Sequence, residues 1–507
     1  MTGAGSSLEQ LQARHGQRYR WLLLLAVMAG TMASIMSSTI VNVAIPDLSH
    51  YFSLSPSRAQ WVSSGFMVAM TVSMLTTPWL LARFGARRTY VGAMLLLMAG
   101  GLLGGVADWF ALVLVARVAE GLAAGVVQPI PAIVILRQFK PNEQGRATGL
   151  FGMGVVLAPA IGPSVGGLLV EWFGWRSIFF MVVPFCLLSI WMARRYLPTS
   201  GPGGTPPGAG ATRFDLPGLL LATFGTLCLL NGLVEARAGH GGLAAALLTL
   251  AAATLIGFVL RQKRLSDAAG AGGGKSPGSN AADRSHNRST SEPLMNLAVF
   301  ATRPFAMGSI VAFIYGAALF GSTYLLPVYL QLGLGLSAAH VGTIFLPAGL
   351  ALAVTIALAG RLADRQPTWL LVSIGLALLA ASFALMPIVR LDSAIWVVVL
   401  LTTIGRIGLG FILPSLNLGS LRPLPGELLS QGSSVINFMR MLGGAAGVSV
   451  CGIVLEWRIA AHGATLAQGA PDAARLAAFN ESFLMLAGVC ALALVAASQL
   501  RARKGRE

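Results

Sequence analysis

The chain has 507 residues, of which 55% are hydrophobic and only 10% charged, more apolar side chain than a soluble core of ordinary composition buries. Its formal net charge of +17 does not point to nucleic acid, because the basic residues fall at alternate ends of apolar runs rather than on one polar face. Cys186, Cys228, Cys451 and Cys490 all lie within apolar runs, without CxxC spacing or clustered histidines; no disulfide framework, metal or cofactor is expected.

A helix needs about 20 mostly apolar residues to cross a bilayer, and the sequence supplies fourteen such runs. The first six are expected at 21–46, 61–81, 90–106, 112–136, 147–170 and 178–192. The first lacks a small-residue cleavage site, so it reads as a retained span rather than a signal peptide. Its outer end is SSTIVNVAIPDL, with Ser37, Thr39, Asn42 and Pro46. The turn after the second span is PWLLARFGARR, with Arg83, Gly85, Arg87 and Arg88.

The fourth span carries RVAEGLAAG, which places Arg117 and Glu120 in the membrane. Glu120 is the only carboxylate expected well inside a span, where charge is expensive. At i and i+3 the two neutralise each other as a structural pair; in the alternative reading Glu120 carries protons, burial and Arg117 pulling its proton affinity in opposite directions. The fifth span holds APAIGPSVGG. There Pro159 and Pro163 lack N–H donors and bend the helix, while Gly162, Gly166 and Gly167 admit a close neighbour.

Spans seven and eight, 216–233 and 243–260, are bracketed by a Pro/Gly stretch at 198–211 and a basic Gly/Ser/Asn-rich run at 261–304, the composition of a flexible linker. The last six spans are expected at 305–330, 341–359, 370–388, 396–418, 433–455 and 483–500. The organisation is therefore a tail (1–20), a six-helix bundle (21–196), two linker spans (197–264), a flexible loop (265–304), a second six-helix bundle (305–500) and a tail (501–507). After the tenth span, GRLADRQP, with Gly360, Asp364 and Arg365, echoes the earlier basic turn, a weak internal symmetry of the kind transporters show.

Tyr324, Gln331, Asn417, Asn437 and Arg440 give sparse polarity to an otherwise apolar cavity, and each equally suits helix packing. Arg406 and Arg440 either snorkel to an interface, meet a helix C-terminus or face an anionic substrate. Of the 35 Lys and Arg, 26 fall on one side, 6 on the other and 3 inside spans, which makes the first side cytoplasmic and puts both termini there.

Taken in order, these segments resemble the major facilitator superfamily, specifically its fourteen-span drug:proton antiporters, over essentially the whole chain. SSTIVNVAIPDL is similar to a pattern of Asp, one residue, then T-I-V-N-V-A-L-P, with Ser37 where the Asp belongs. PWLLARFGARR resembles the cytoplasmic turn G-x-L-A-D-R-x-G-R-R, with Pro78 and Ala82 replacing its Gly and Asp, which implies a weaker inner latch in this copy. RVAEGLAAG resembles R-x-x-Q-G, with Glu120 for Gln. APAIGPSVGG is similar to G-x-x-x-G-P-x-x-G-G, which marks exporters. DLPGLLL, YLLPVYLQ, GRIGLGF and NFMRMLGGAAG follow in the family's order, with Met441 for a usual Gln.

The resemblance implies an all-α polytopic membrane protein of the major facilitator fold, two six-helix bundles plus two linker helices. It implies secondary active export of amphipathic drugs or toxic compounds across a bacterial inner membrane, by proton antiport with alternating access. Protons, membrane lipid and such small molecules would be its partners; a periplasmic adaptor and outer-membrane channel are permitted. A serine cannot change charge with pH as a buried carboxylate does, so Glu120 is the candidate to replace the absent acid. Two alternatives remain: an exporter of one metabolite or anion built on the arginines, and a membrane sensor of the same fold. An enzyme is disfavoured, because no nucleophile elbow, metal-ligand pair or phosphate loop occurs.

Overall fold

The computed structural model describes residues 8–201, 206, 208, 213–237, 239–273, 291–465 and 472–501. Among them the chain is helical, with one isolated bridge between Arg213 and Ser291. In chain order the main helices are α1 (Leu8–His15), α2 (Tyr19–Tyr51), α3 (Trp61–Ser73), α4 (Thr77–Gly105), α5 (Phe110–Val127), α6 (Ile130–Gln138), α7 (Gln144–Phe173) and α8 (Val182–Tyr196). They continue with α9 (Leu216–Arg237), α10 (Gly241–Gly273), α11 (Arg303–Val328), α12 (Ala338–Leu362), α13 (Thr368–Leu385), α14 (Ile395–Leu421), α15 (Leu429–Ala461) and α16 (Ala473–Ser498).

Twelve helical segments among the described residues are long and apolar enough to cross a bilayer. One of them, Trp61–Gly105, has 45 residues, about twice the length one crossing requires. It reverses at Gly85, whose φ of 78° and ψ of 167° belong to a region essentially reserved for glycine, so it makes two passes. Helix α7, of 30 residues, is a further long helix beside these twelve segments. The exterior is apolar: Leu346 is 76% and Leu492 72% exposed. Exposed Trp109, Trp172, Trp396 and Trp457 are of the residue type that gathers at a membrane boundary.

Lipid gives helices no hydrophobic reason to associate, so close packing relies on small residues. A Cβ at Gly121 or Gly125 of α5 would come within 2.4 or 2.1 Å of the α3 backbone at Phe66 or Met70, and one at Gly316 of α11 within 1.9 Å of the Arg440 carbonyl on α15. Two large apolar cores result. One gathers Leu24, Tyr90, Leu97 and Cys186 from the first passes; the other includes Tyr329, Phe383, Phe479 and Phe483 from the last. At one end of the early passes Arg176 bonds Tyr51, the Ala107 carbonyl and Asp108, and stacks on Trp175.

Helices α9 and α10 form a hairpin closed by Asp215. Its fully buried carboxylate accepts from Arg261 Nε (2.7 Å), Gln262 Nε2 (2.8 Å) and Gly218 N (3.0 Å). Helix α9 packs on both α3 and α15, whereas most of the apolar stretch of α10 faces outward.

The stretch 265–304, expected to be a flexible loop, is ordered at both ends. Helix α10 continues to Gly273, and after residues 274–290, which lie outside the description, Leu294, Met295 and Val299 are buried. Gln262 accepts from Met295 N, while Gln431 accepts from Asn296 N and donates to the Pro293 carbonyl. A few apolar residues dock a segment whose average composition is polar.

Candidate functional site

Inside the early passes Ser37, Arg117 and Glu120 come together. The glycines that bring α5 against α3 place Arg117 over the face of Phe66, 4.3 Å from its centroid. Arg117 Nε donates to the Val62 carbonyl at 3.2 Å, and Nη1 donates to Ser37 Oγ at 2.9 Å and to the Glu120 carboxylate. Ser37 Oγ in turn donates to Glu120 Oε2 at 3.1 Å. The carboxyl stem rests on α4, where a Cβ at Gly100 would stand 2.6 Å from Glu120 Cγ.

The Glu120 side chain is 0% and that of Arg117 2% exposed, so the pair is dry. Each keeps one atom, Glu120 Oε1 and Arg117 Nη2, without a hydrogen-bond partner among the described residues. An ion pair this buried holds together because each charge needs the other. Neutralising Glu120 would leave Arg117 with Ser37, the Val62 carbonyl and the Phe66 ring.

Phe66 belongs to a small cluster with Met70 and Met74 of the same pass, Ala124 of α5 and Met441 of α15, joined by Phe320 of α11. Early and late passes therefore meet one residue away from the buried pair. Met441, which stands where the family resemblance expects Gln, is one of the contact points.

A second meeting place lies at the end of the bundle that carries the basic turns. Asp364, after α12, accepts from Gly145 N (2.6 Å) and Arg146 N (2.8 Å) at the start of α7, where the helix dipole favours a negative charge. Arg422 reaches Asp364 at 3.4 Å, Gln144 at 2.9 Å and the Pro141 carbonyl at 2.8 Å. Burial lowers the Arg422 pKa, opposed by the Asp364 carboxylate. Gly360 fits directly against Gly145 and Gly149, Arg137 donates to the Gly426 carbonyl and Ser433 to the Pro129 carbonyl.

The first copy of the basic turn behaves differently. Gly85 makes its reversal, and Arg87 donates from Nε to the Leu197 carbonyl and from its backbone to that of Pro198, so the turn is tied to the segment after α8. Arg83, Arg88 and Arg365 are exposed.

Above the Asp364 contacts lies a cavity of about 40 Å³, room for only a few waters. Gln128, Thr148, Asn417, Asn437 and Arg440 are its polar lining, and Phe151, Val155 and Leu413 are among its apolar walls. Asn437 accepts from Arg440 Nη2 at 2.7 Å and donates to the Ser433 carbonyl, which fixes the guanidinium. Three of the five expected cavity residues are thus together. Tyr324 and Gln331 are not part of this lining, and Gln331 is exposed on the turn that ends α11.

Other expectations divide similarly. Gly162 and Gly166 meet Thr39 and Ile40 of α2 closely, but no atom lies near a Cβ built at Gly167, because only two of the three glycines face α2. Helix α7 runs unbroken past Pro159, and the side chain of Pro163 lies outside the described residues. Thr39 bonds back to its own helix, Asn42 accepts from Ser63 Oγ at 2.6 Å, and α2 continues through Pro46. Phe66, Gln128 and Thr148 belong to these sites without being marked in the sequence, except that a glutamine within an apolar span is a readable signal.

A family model described as Major Facilitator Superfamily matches residues 27–448. The chain is 28% identical over 445 residues to the tetracenomycin C resistance and export protein of Streptomyces glaucescens, covering 87% of this chain and 76% of that one. It is 25% identical over 444 residues to the lincomycin resistance protein LmrB of Bacillus subtilis, covering 86% of each. Among solved structures, the proton:xylose symporter XylE superposes with a TM-score of 0.63 at 13% identity, over 94% of both chains.

Proposed function

The chain belongs to the major facilitator superfamily and is a multi-pass membrane transporter rather than an enzyme, and from that premise we propose that it exports amphipathic compounds in exchange for protons. The observation that carries the reading is the dry Ser37–Arg117–Glu120 cluster with its orphaned carboxylate oxygen. Two relatives named for antibiotic resistance or export support drugs as the substrate class.

In this reading Glu120 is the proton carrier. Protonation removes the negative half of a buried pair, and Arg117 then needs another environment. The displacement is felt by Val62 and Phe66 on α3, and from there by Met441 and Phe320 across the boundary. The units 21–196 and 305–500 rock about that boundary to alternate access. The end held by Asp364 is cytoplasmic, as the basic loops require, so the conformation described is closed inward.

The proposed setting is a bacterial inner membrane with both termini inside. A single chain suffices for the mechanism; an adaptor and outer-membrane channel rest on the family resemblance alone.

The test uses everted vesicles with an acid interior and a pH-sensitive dye. Adding an amphiphilic substrate is expected to release protons with the native protein and not with Glu120→Gln. Equal release from both would remove Glu120 from the mechanism.

A further inference from the structure

Formal charge inside the spans divides unevenly. On α5 Arg117 and Glu120 cancel. In the later passes Arg406 of α14 and Arg440 of α15 meet no carboxylate among the described residues.

Neither snorkels. Arg406 sits about 16 Å along the axis from Ile395 and about 22 Å from Leu421, and it is 8% exposed. It lies over the ring of Phe345 on α12, 5.6 Å away. Arg440 is half-buried and donates to Asn437.

Helix α11 packs on both α14 and α15 and carries Tyr315, 2% exposed, with no hydrogen-bond partner for its hydroxyl among the described residues. Its neighbour Gly316 lies against the Arg440 carbonyl, and both guanidiniums act electrostatically on the phenol. Buried charge is costly unless it is paired, so two cations and a spare hydroxyl on three adjoining helices mark a place for a negative charge that the chain does not supply.

We propose that Arg406, Arg440 and Tyr315 form an anion-binding site, and that the exported compounds are amphipathic acids whose carboxylate, sulfonate or phosphate occupies it. The inference rests on the export reading and specifies its substrate class. Arg440 lines the cavity described above, so the acid's apolar body would lie along Ile135, Phe151, Val155 and Leu413. Outward movement of an anion and inward movement of a proton both carry positive charge inward, so the exchange would draw on membrane potential as well as on the pH gradient.

The test compares two xanthene dyes of similar shape and opposite charge, fluorescein and rhodamine 6G, by anisotropy with the purified full-length chain in detergent. Fluorescein should bind more tightly, and Arg406→Gln and Arg440→Gln should each weaken it by about tenfold or more. Arg406→Lys should recover part of the loss, and rhodamine 6G binding should not fall in any variant. Tyr315→Phe, which keeps the packing, should weaken fluorescein by about fivefold and decides the matter if the glutamine variants do not fold.

Fluorescein affinity indifferent to all these changes, or a native preference for rhodamine 6G, overturns the site. Proton release in vesicles is read separately. Arginine-dependent binding without proton movement overturns antiport and keeps the anion site; proton movement on adding either dye, unaffected in Arg406→Gln and Arg440→Gln, overturns the site and keeps antiport.

Discussion

The two sets of charges inside the spans differ in one respect. In the early passes Arg117 has its counter-charge three residues away on the same helix, so the chain is electrically complete there and only a proton can unbalance it. In the later passes Arg406 and Arg440 have none among the described residues, so in the proposed reading that region is complete only when an anion arrives. A neutralised pair suits a switch, and an unneutralised one suits a receptor. The contact of Phe66 with Met70, Met74 and Met441 gives the first a mechanical route toward the second.

The largest effect should come from breaking the switch. Glu120→Gln is expected to abolish substrate-driven proton release while leaving substrate binding to the purified protein within about twofold, since no part of Glu120 lines the cavity. Ser37→Asp in that background should restore part of the release, because it returns a carboxylate to the environment of Arg117 at the position where the family resemblance places one. Failure of the double variant would mean that the position of the acid on α5, and not its charge, is what counts.

Stability offers the sharpest contrast. Arg117→Gln should cost about 3–5 kcal/mol because it strands a buried carboxylate, and adding Glu120→Gln should recover most of that. Arg406→Gln should do the opposite in the absence of ligand, raising the midpoint of thermal unfolding in detergent, since it removes a buried charge that meets no carboxylate among the described residues. Equal destabilisation by both arginine changes would end the distinction between a complete site and an incomplete one.

How far these sites were legible depends on what marks a residue in the sequence. Glu120 stood out as a lone carboxylate in an apolar run. Arg406 was equally visible as a charge, but its want of a partner is a property of three helices together, which no spacing encodes. Tyr315 had no mark at all, because a tyrosine inside a span reads as bulk until its hydroxyl is seen unpaired. Gly166 and Gly167 are adjacent and identical, so nothing in their spacing tells that only the first meets α2. The docked segment around Met295 was hidden by polar neighbours that dominate its composition. The passes themselves were readable, since about 20 apolar residues leave few alternatives.

The latch should respond more modestly. Asp364→Asn keeps the shape and loses charge-assisted bonds to two backbone amides and Arg422, so the closed arrangement should lose about 1–3 kcal/mol. Spectroscopic distances between labels placed on α7 and α12 near this end should show a second, longer population.

The smallest effect is expected next door. Arg365 follows Asp364 directly, belongs to the same motif and carries a full charge, yet it is exposed. Solvent screens such a charge, and Arg365→Ala should move stability and the label distances by no more than about 0.5 kcal/mol. The pair of neighbours separates two explanations of the motif. If the turn works by placing an acid on the first amides of α7, only Asp364 matters. If it works by the positive field of the whole turn, Arg365→Ala will open the latch nearly as far as Asp364→Asn does, and Arg83 and Arg88 on the first turn, exposed in the same way, would then have to be counted with it.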